Sequence, residues 1–532
     1  MITYKRCLFQ LVIEERLDIL VRIDIGIEEQ LIKYGYFSEH IPSCFNSDLF
    51  YQHYHSLKTS AESTFSEPLS LTISKNDSFR RTIKIPNPEQ QLKLFDYIIS
   101  NAEEIKGILE NNEHTLSNPF KNRVLKYEEL DFFDIPNFKE KHNLGSDYIQ
   151  NLVKKVKDSM GYKYVCKLDL ANFYDSIYTH TLEWAIIGKE AAKENSLHKT
   201  YKNNLGEKLD ILVRNTNNRE TSGIPTGPFS SRILSELLLN KVDEEIEQLI
   251  DDVDFKFLHY VDDYEFYFRN EADFNYIKNK LRKIFEKYRL KINESKTQFI
   301  EYPYHHNTDL KFEFKNQINK FRKSKKVQDA MLIFFKADEL YEIGEKGAYK
   351  YLYKQLKNED FSSAWKEIES FLIGHLLVKP SLAPYIIKLI INHKDLVSKE
   401  FINELKINLE TSVENGLDNE AEWLFWILTK LNVKLNVNEL VNLFEKTHDD
   451  LLRIMLIDYA HKHKKNNSKK VKLTLDNLLN TLTNYNLRSE HWLIIYEWVY
   501  HKWYGYQRLE NKINEINFFK ALKKRRIHFY NP

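Results

Sequence analysis

The sequence predicts an α+β fold in which a ferredoxin-like β-α-β-β-α-β unit, spanning about residues 164–301, is followed by a large all-α region. Three observations carry this. Short apolar runs alternate with helix-period stretches across residues 164–301, and beyond about residue 315 the strand signals fade while helix-length apolar patterns follow one another. Glycine and proline are scarce, 14 and 12 in 532 residues, less than half of an ordinary combined share of about 12%.

Residues 1 to about 125 mix helical patterns with one strand-like run, Arg80-Arg81-Thr-Ile-Lys-Ile85, stopped by Pro86 and Pro88. Tyr164-Val-Cys-Lys-Leu-Asp169 suits a buried strand, and Asn172 opens a helical stretch through Trp184 and Ile187. Gly223, Pro225, Gly227 and Pro228 crowd into six residues of a chain otherwise poor in both types, so the backbone needs unusual freedom there. Phe229, Ile233, Leu237, Leu238, Val242, Ile246 and Ile250 then recur at helical spacing, predicting a long helix. Two aromatic strands, Phe255-Lys-Phe-Leu-His-Tyr260 and Tyr264-Glu-Phe-Tyr-Phe268, are separated only by Val261-Asp262-Asp263 and read as a hairpin. Ile277, Leu281, Phe285 and Tyr288 mark an amphipathic helix, and residues 290–300 return to a strand pattern. Farther on, apolar patterns near 365–377, 382–391, 421–431, 451–460 and 492–503 predict successive helices. Their spacing of roughly 40 residues suggests HEAT-like repeats, without a recurring sequence signature. The expected division is 1–160 (amino-terminal), 161–314 (sheet unit, with an insertion around 178–220) and 315–532 (α-helical).

The formal charge is +1, which excludes a uniformly basic nucleic-acid coat but not local patches. Three cysteines, Cys7, Cys44 and Cys166, none in CxxC spacing, make neither a disulfide framework nor a cysteine zinc site and point to a reducing compartment. No amino-terminal signal pattern is present, and apolar runs such as 386–391, with Lys388 inside, fall far short of a membrane span. A soluble cytoplasmic protein is expected. Neither a Ser-His-Asp arrangement nor a Walker A loop occurs, so hydrolase and ATPase readings lack a local signal. His180 and His259 have no second histidine at metal-ligand spacing and read as packing or hydrogen-bonding residues.

In a ferredoxin-like sheet the end of the first strand and the central hairpin lie side by side. Asp169 ends the former and Asp262 and Asp263 form the latter, so three carboxylates far apart in sequence converge at one edge. They would repel unless cations neutralise them, and Mg2+ suits hard oxygen ligands while keeping room for water and phosphate. Two such ions about 3.5–4 Å apart stabilise the attacking and leaving oxygens of a phosphoryl transfer. The expected reaction is nucleotidyl transfer, with Mn2+ as an alternative metal.

This constellation resembles the palm of a reverse transcriptase. Asp169-Leu-Ala-Asn-Phe-Tyr-Asp-Ser-Ile177 resembles motif A; Gly223-Ile-Pro-Thr-Gly-Pro228 with Ser231-Arg-Ile-Leu234 resembles motif B; Tyr260-Val-Asp-Asp263 resembles motif C; and Leu290-Lys-Ile-Asn293 with Lys296-Thr297 resembles motif D. The resemblance implies fingers before the palm and a helical region in place of a thumb. It implies Asp169, Asp262 and Asp263 as the catalytic triad, the side chains of which, with the Leu170 carbonyl, ligate metal. Tyr174 falls at the steric-gate position, where a ring against the sugar collides with a 2′-hydroxyl and favours dNTPs; packing among 32 tyrosines and 33 phenylalanines is the competing reading. Arg80, Arg81 and Lys84 occupy the place of the triphosphate-binding strand, where guanidinium forks match phosphate oxygens. Strand alternation turns Arg80 and Arg81 to opposite sides. Gly223, Pro225, Thr226 and Gly227 line the nucleotide, and Lys296 is either a proton donor to pyrophosphate or a solvated lysine. Thr226 stands where many reverse transcriptases carry a glutamine, and its hydroxyl reaches less far toward nucleotide and template.

The motif B form, Tyr178-Thr-His-Thr181 with residues 184–189, Gly35-Tyr-Phe-Ser-Glu-His-Ile-Pro42 and the helical carboxy-terminal region are together similar to bacterial abortive-infection and defence-associated reverse transcriptases, the AbiK type included. That similarity implies antiphage defence, homo-oligomers, and in some members protein-primed, template-free synthesis of single-stranded DNA attached to a tyrosine. Which tyrosine is left open; Tyr34, Tyr36, Tyr51 and Tyr54 are candidates. An RNA template or non-coding RNA is the other partner to weigh. Competing readings are a conventional RNA-templated enzyme of retron or group II type, disfavoured by the absence of a Val-Thr-Gly element and a cysteine-rich endonuclease region, and an RNA-binding helical scaffold with an inactive palm.

Three basic runs could hold nucleic acid: Lys315, Lys320, Arg322, Lys323, Lys325 and Lys326 beside the palm; residues 462–472; and residues 520–526. Trp423, Trp426, Trp492, Tyr496 and Trp498 could stack on bases or pack between helices.

Overall fold

A computed structural model describes residues 26–76, 79–120, 124–125, 144–145, 148–198, 204–305 and 310–532; Cys7 lies outside them. The strands that matter below are β1 (Leu69–Asn76), β2 (Phe79–Ile85), β3 (Tyr164–Asp169), β4 (Phe255–Tyr260), β5 (Asp263–Phe268) and β6 (Gln298–Glu301). The helices are α1 (Phe229–Glu247), α2 (Glu271–Lys287), α3 (Asp418–Lys430) and α4 (Asp450–Lys462). Two compact units divide the chain, and each is discontinuous.

The first unit holds the residues up to Glu39, Phe95–Asp210 and Phe229–Tyr302. Its sheet has the order β4-β5-β3-β6, every neighbour antiparallel. With helices between β3 and β4 and α2 between β5 and β6, this is the split β-α-β-β-α-β topology that the alternation predicts. Val165, Phe257, Phe266 and Phe268 are buried, as are Ile233, Leu238 and Val242 of α1 and Ile277, Leu281 and Phe285 of α2. α2 keeps a polar outer face and is capped by the Asn270 side chain, which accepts from the Asp273 amide. α1 is buried nearly all round, so Ser235, Glu236 and Asp243 enter the interior with its aliphatic residues.

Local boundaries depart from expectation where side chains intervene. The stretch from Asn172 to Ile187 is two helices, Phe173–Ser176 and Thr181–Ile187, because Ile177 turns to ψ 118° and ends the first. The hairpin turn is two residues long, since Asp263 already belongs to β5 and pairs with Tyr260. Of the 290–300 stretch only residues 298–300 join a strand, β6, which runs on to Glu301; Ile292 makes a single bridge to Leu170.

The second unit holds His40–Leu94, Ile211–Pro228 and Pro303–Pro532. After β6 no strand is present among the described residues, and helices run in succession from Leu310 to Lys524. The β1–β2 ribbon is tied into them: the Thr72 amide and hydroxyl donate to Asp418, and Arg80 forms a two-pronged pair with Glu420. Asn87 donates to the Leu487 carbonyl, and Phe45 bridges Tyr530. Trp423, Trp426, Trp492, Tyr496 and Trp498 are all buried, which assigns these rings to helix packing and removes them as stacking platforms. Cys44 and Cys166 are buried free thiols. No helix among the described residues is long and apolar enough to cross a membrane.

Candidate active site

The carboxylates meet through backbone pairing. Asp169, the last residue of β3, is the antiparallel partner of Asp263, the first of β5. The Leu170 amide donates to the Asp262 carbonyl at 3.1 Å, which draws the turn between β4 and β5 over the end of β3. Behind Asp169 the chain turns through Asn172, at φ 47°, a left-handed conformation that asparagine tolerates better than most residues.

Two further groups reach Asp169. Lys296 places Nζ 2.8 Å from Oδ1, and the Asn293 side-chain amide donates to Oδ2 at 3.0 Å while its backbone amide donates to the Asp169 carbonyl at 2.8 Å. The Ala171 amide donates to the Lys291 carbonyl at 2.7 Å, so the segment resembling motif D is stapled along the one resembling motif A. Restricted access to water, and then the charges of Asp262 and Asp169, raise the Asp263 carboxyl above its ordinary range; Lys296 and Lys155 pull it back.

The donor chemistry fits a divalent cation on an open edge. Among the described residues no three histidine, cysteine or acidic side chains close around one point as a metal cage does. Mg2+ does not require such a cage, since it keeps several waters and is held through one or two carboxylates plus substrate phosphates. A cluster of like charges only partly balanced by Lys296 and Lys155 is a place where positive charge is favourable.

Tyr174 lies on the short helix Phe173–Ser176, partly buried, and burial pushes its hydroxyl up to about 12 despite the nearby Ser235 hydroxyl and Arg232. Its hydroxyl stays neutral near Ser235 of α1.

The other predicted nucleotide residues belong to the second unit. The Lys84 amide donates to the Thr226 carbonyl at 2.8 Å, and Lys84 Nζ donates to Asn217 at 2.9 Å. Gly223 and Gly227 have φ 83° and 129°, so the backbone freedom inferred for this loop is used at both positions. Pro225 is buried and Thr226 half-buried. Arg80 is engaged by Thr72 and Glu420, whereas Arg81 is exposed and has no ion-pair partner among the described residues. Of the basic run, Lys320 pairs with Asp329, Arg322 with Glu359 and Lys325 with Asp360; Lys323 and Lys326 have no such partner among the described residues. Tyr36 and Tyr54 are buried, while Tyr34 and Tyr51 are half-buried.

A polar network beneath the turn has no counterpart in the sequence reading. Val261 has φ 54°, a region that β-branched residues rarely adopt. Its amide donates to Ser117 Oγ at 2.8 Å, and the Ser117 hydroxyl donates to Glu236 Oε1 at 2.5 Å, with Thr115 donating to Glu236 Oε2 at 2.9 Å. His259 Nδ1 lies 3.1 Å from the Val261 carbonyl, and its Nε2 lies 2.9 Å from Asp243. Asp243 also accepts from Tyr264 and Asn112. Burial disfavours charge on His259, but Asp243 and then Glu236 outweigh it and hold the ring up at about 9; Nδ1 faces the Val261 carbonyl and Nε2 meets Asp243 as an ion pair. His180 pairs with Asp210 at 2.7 Å. Both histidines thus make polar pairs with a buried aspartate.

Residues 107–332 match the family described as reverse transcriptase (RNA-dependent DNA polymerase), so the chain carries a domain of that family. Among solved structures the chain is similar to telomerase from Candida albicans in complex with a TWJ fragment of telomeric RNA, at 13% identity and TM-score 0.31, covering 76% of this chain and 70% of that one. It is also similar to apo telomerase from Candida tropicalis, at 14% identity and TM-score 0.32, covering 81% and 77%. No curated protein matches the chain.

Proposed function

We propose that the reverse transcriptase domain is an active DNA polymerase that adds deoxynucleotides at the sheet edge carrying Asp169, Asp262 and Asp263. The observation that carries this reading is the antiparallel partnership of Asp169 with Asp263, with Asp262 in the turn beside it. These side chains and the Leu170 carbonyl would hold two Mg2+ ions, or Mn2+, which when bound neutralise charge on the attacking and leaving oxygens. Asn293 and Lys296 orient the Asp169 carboxylate, one hydrogen bond to each oxygen. The Lys296 ammonium would also give a proton to departing pyrophosphate, as the resemblance to motif D implies. The Tyr174 ring, kept neutral, selects against a 2′-hydroxyl. On the sequence resemblance alone Arg81 is proposed as a triphosphate ligand, while Lys84 braces the loop of Gly223, Pro225, Thr226 and Gly227.

The test is incorporation of labelled dNTPs by purified protein with Mg2+ or Mn2+, with and without added RNA, beside the Asp262→Asn variant. Incorporation by the wild type and its loss in the variant support the reading; equal incorporation by both refutes it. The finer reading is a role in bacterial antiphage defence, with homo-oligomers, HEAT-like helical repeats and protein-primed single-stranded DNA. It rests on the sequence resemblance and is tested by sequencing DNA that co-purifies with the protein and probing it for a covalent tyrosine linkage.

A further inference from the structure

The turn that carries Asp262 is held in a conformation its own residues resist. A β-branched side chain at φ 54° is strained and persists only where the surroundings over-determine it. Both backbone groups of Val261 are taken, the amide by Ser117 Oγ and the carbonyl by His259. Ser117 is fully buried and Glu236 nearly so, and the short Ser117–Glu236 bond directs the hydroxyl proton to the carboxylate, leaving a lone pair for the Val261 amide. The serine is itself fixed, because its neighbours pair with the edge of β4: the Leu116 amide donates to the His259 carbonyl and the His259 amide to the His114 carbonyl. Glu236 and Asp243, seven residues apart, lie two turns apart on one face of α1. One helix thus holds both sides of the turn, through Ser117 and through His259.

We propose that Ser117, oriented by Glu236, is a positioning residue of the polymerase reaction: it holds Val261 in the left-handed region and so sets where Asp262 and Asp263 present their carboxylates. This rests on the polymerase reading above. Neither residue touches the reacting atoms; both act through the turn.

Two measurements decide it. Ser117→Ala should lower kcat for dNTP incorporation by about 10–100-fold, as expected for misplacing a reacting group by an ångström, with KM for dNTP within about twofold. Glycine adopts φ 54° without penalty, so in a Val261→Gly background the same Ser117→Ala change should cost several-fold less. Equal factors in the two backgrounds, or an unchanged kcat, overturn the proposal. Independently, hydrogen–deuterium exchange in peptides covering residues 255–268 should accelerate about tenfold at the turn in Ser117→Ala, with α2 unchanged; unchanged exchange at the turn overturns it as well. Should Ser117→Ala fail to fold, Glu236→Gln, which keeps shape and one acceptor, is read the same way. If the wild type incorporates nothing, the polymerase reading fails, and the exchange comparison still decides whether Ser117 holds the turn.

Discussion

The Lys296 ammonium lies 2.8 Å from Asp169 Oδ1 across 127 residues of sequence. Because that charge also lowers the Asp263 carboxyl against the repulsion of its neighbours, replacing Lys296 by alanine should move the acidic limb of the kcat/KM profile to higher pH. Steady-state incorporation measured from pH 5.5 to 8.5 checks the direction.

The Asp263 carboxyl is raised in the folded state, so its contribution to stability is fully present below the ordinary aspartate range and is lost as pH rises through the shifted value. Asp263→Asn removes that repulsion. In EDTA at pH 7.5 the variant should melt higher than the wild type, with a flatter dependence of Tm on pH, while incorporation falls by about a thousandfold or more.

Tyr174→Ala should relax sugar selection, raising kcat/KM for ribonucleotides relative to deoxynucleotides by about tenfold or more. Tyr174→Phe should leave the ratio unchanged, because the ring and not the hydroxyl does the excluding. Parallel incorporation assays with both nucleotide types report the ratio.

Arg80 and Arg81 should behave oppositely. Arg80→Ala breaks a half-buried charge-assisted pair with Glu420 and should destabilise the protein by about 1–3 kcal/mol, read as a lower Tm. Arg81→Ala should leave Tm in place and raise KM for dNTP.

Burial and the charges of Asp449 and Asp418 raise Glu422 of α3 well above the carboxylate range, and burial followed by Asp418 raises Asp449, which caps α4, to about 7. Both shifts favour the fold when protonated, and the part due to Asp449 is lost as pH rises through about 7. Asp449→Asn, which keeps a side-chain oxygen for the Leu451 and Leu452 amides, should raise Tm at pH 8 and leave it nearly unchanged at pH 5.5, which thermal melts at the two pH values will show.

The sheet unit was legible because its signals are local: aromatic alternation marks β4 and β5, and the glycine–proline cluster marks the loop before α1. Asp169, Asp262 and Asp263 come together as topology alone demands. Ser117, Glu236 and Asp243 were not legible, since a serine in a polar stretch and two acids on a long helix look solvated until burial makes each one matter. Arg80 looked like a phosphate ligand because Glu420, its partner, lies 340 positions away; long-range pairing of this kind leaves no periodicity to read. The five aromatic residues of the helical region illustrate the reverse, since helical spacing already offered packing as an alternative and burial selects it.

Phe45 finds its bridging partner in Tyr530, and the neighbouring Asn46 and Asn531 are 485 positions apart. At ribosomal speeds of about 5–20 residues per second, the early segment waits roughly 25–100 s for that partner to be synthesised. Until then Phe45 lacks that partner, so slowing translation late in the message should increase capture of the nascent chain by chaperones more than slowing it early.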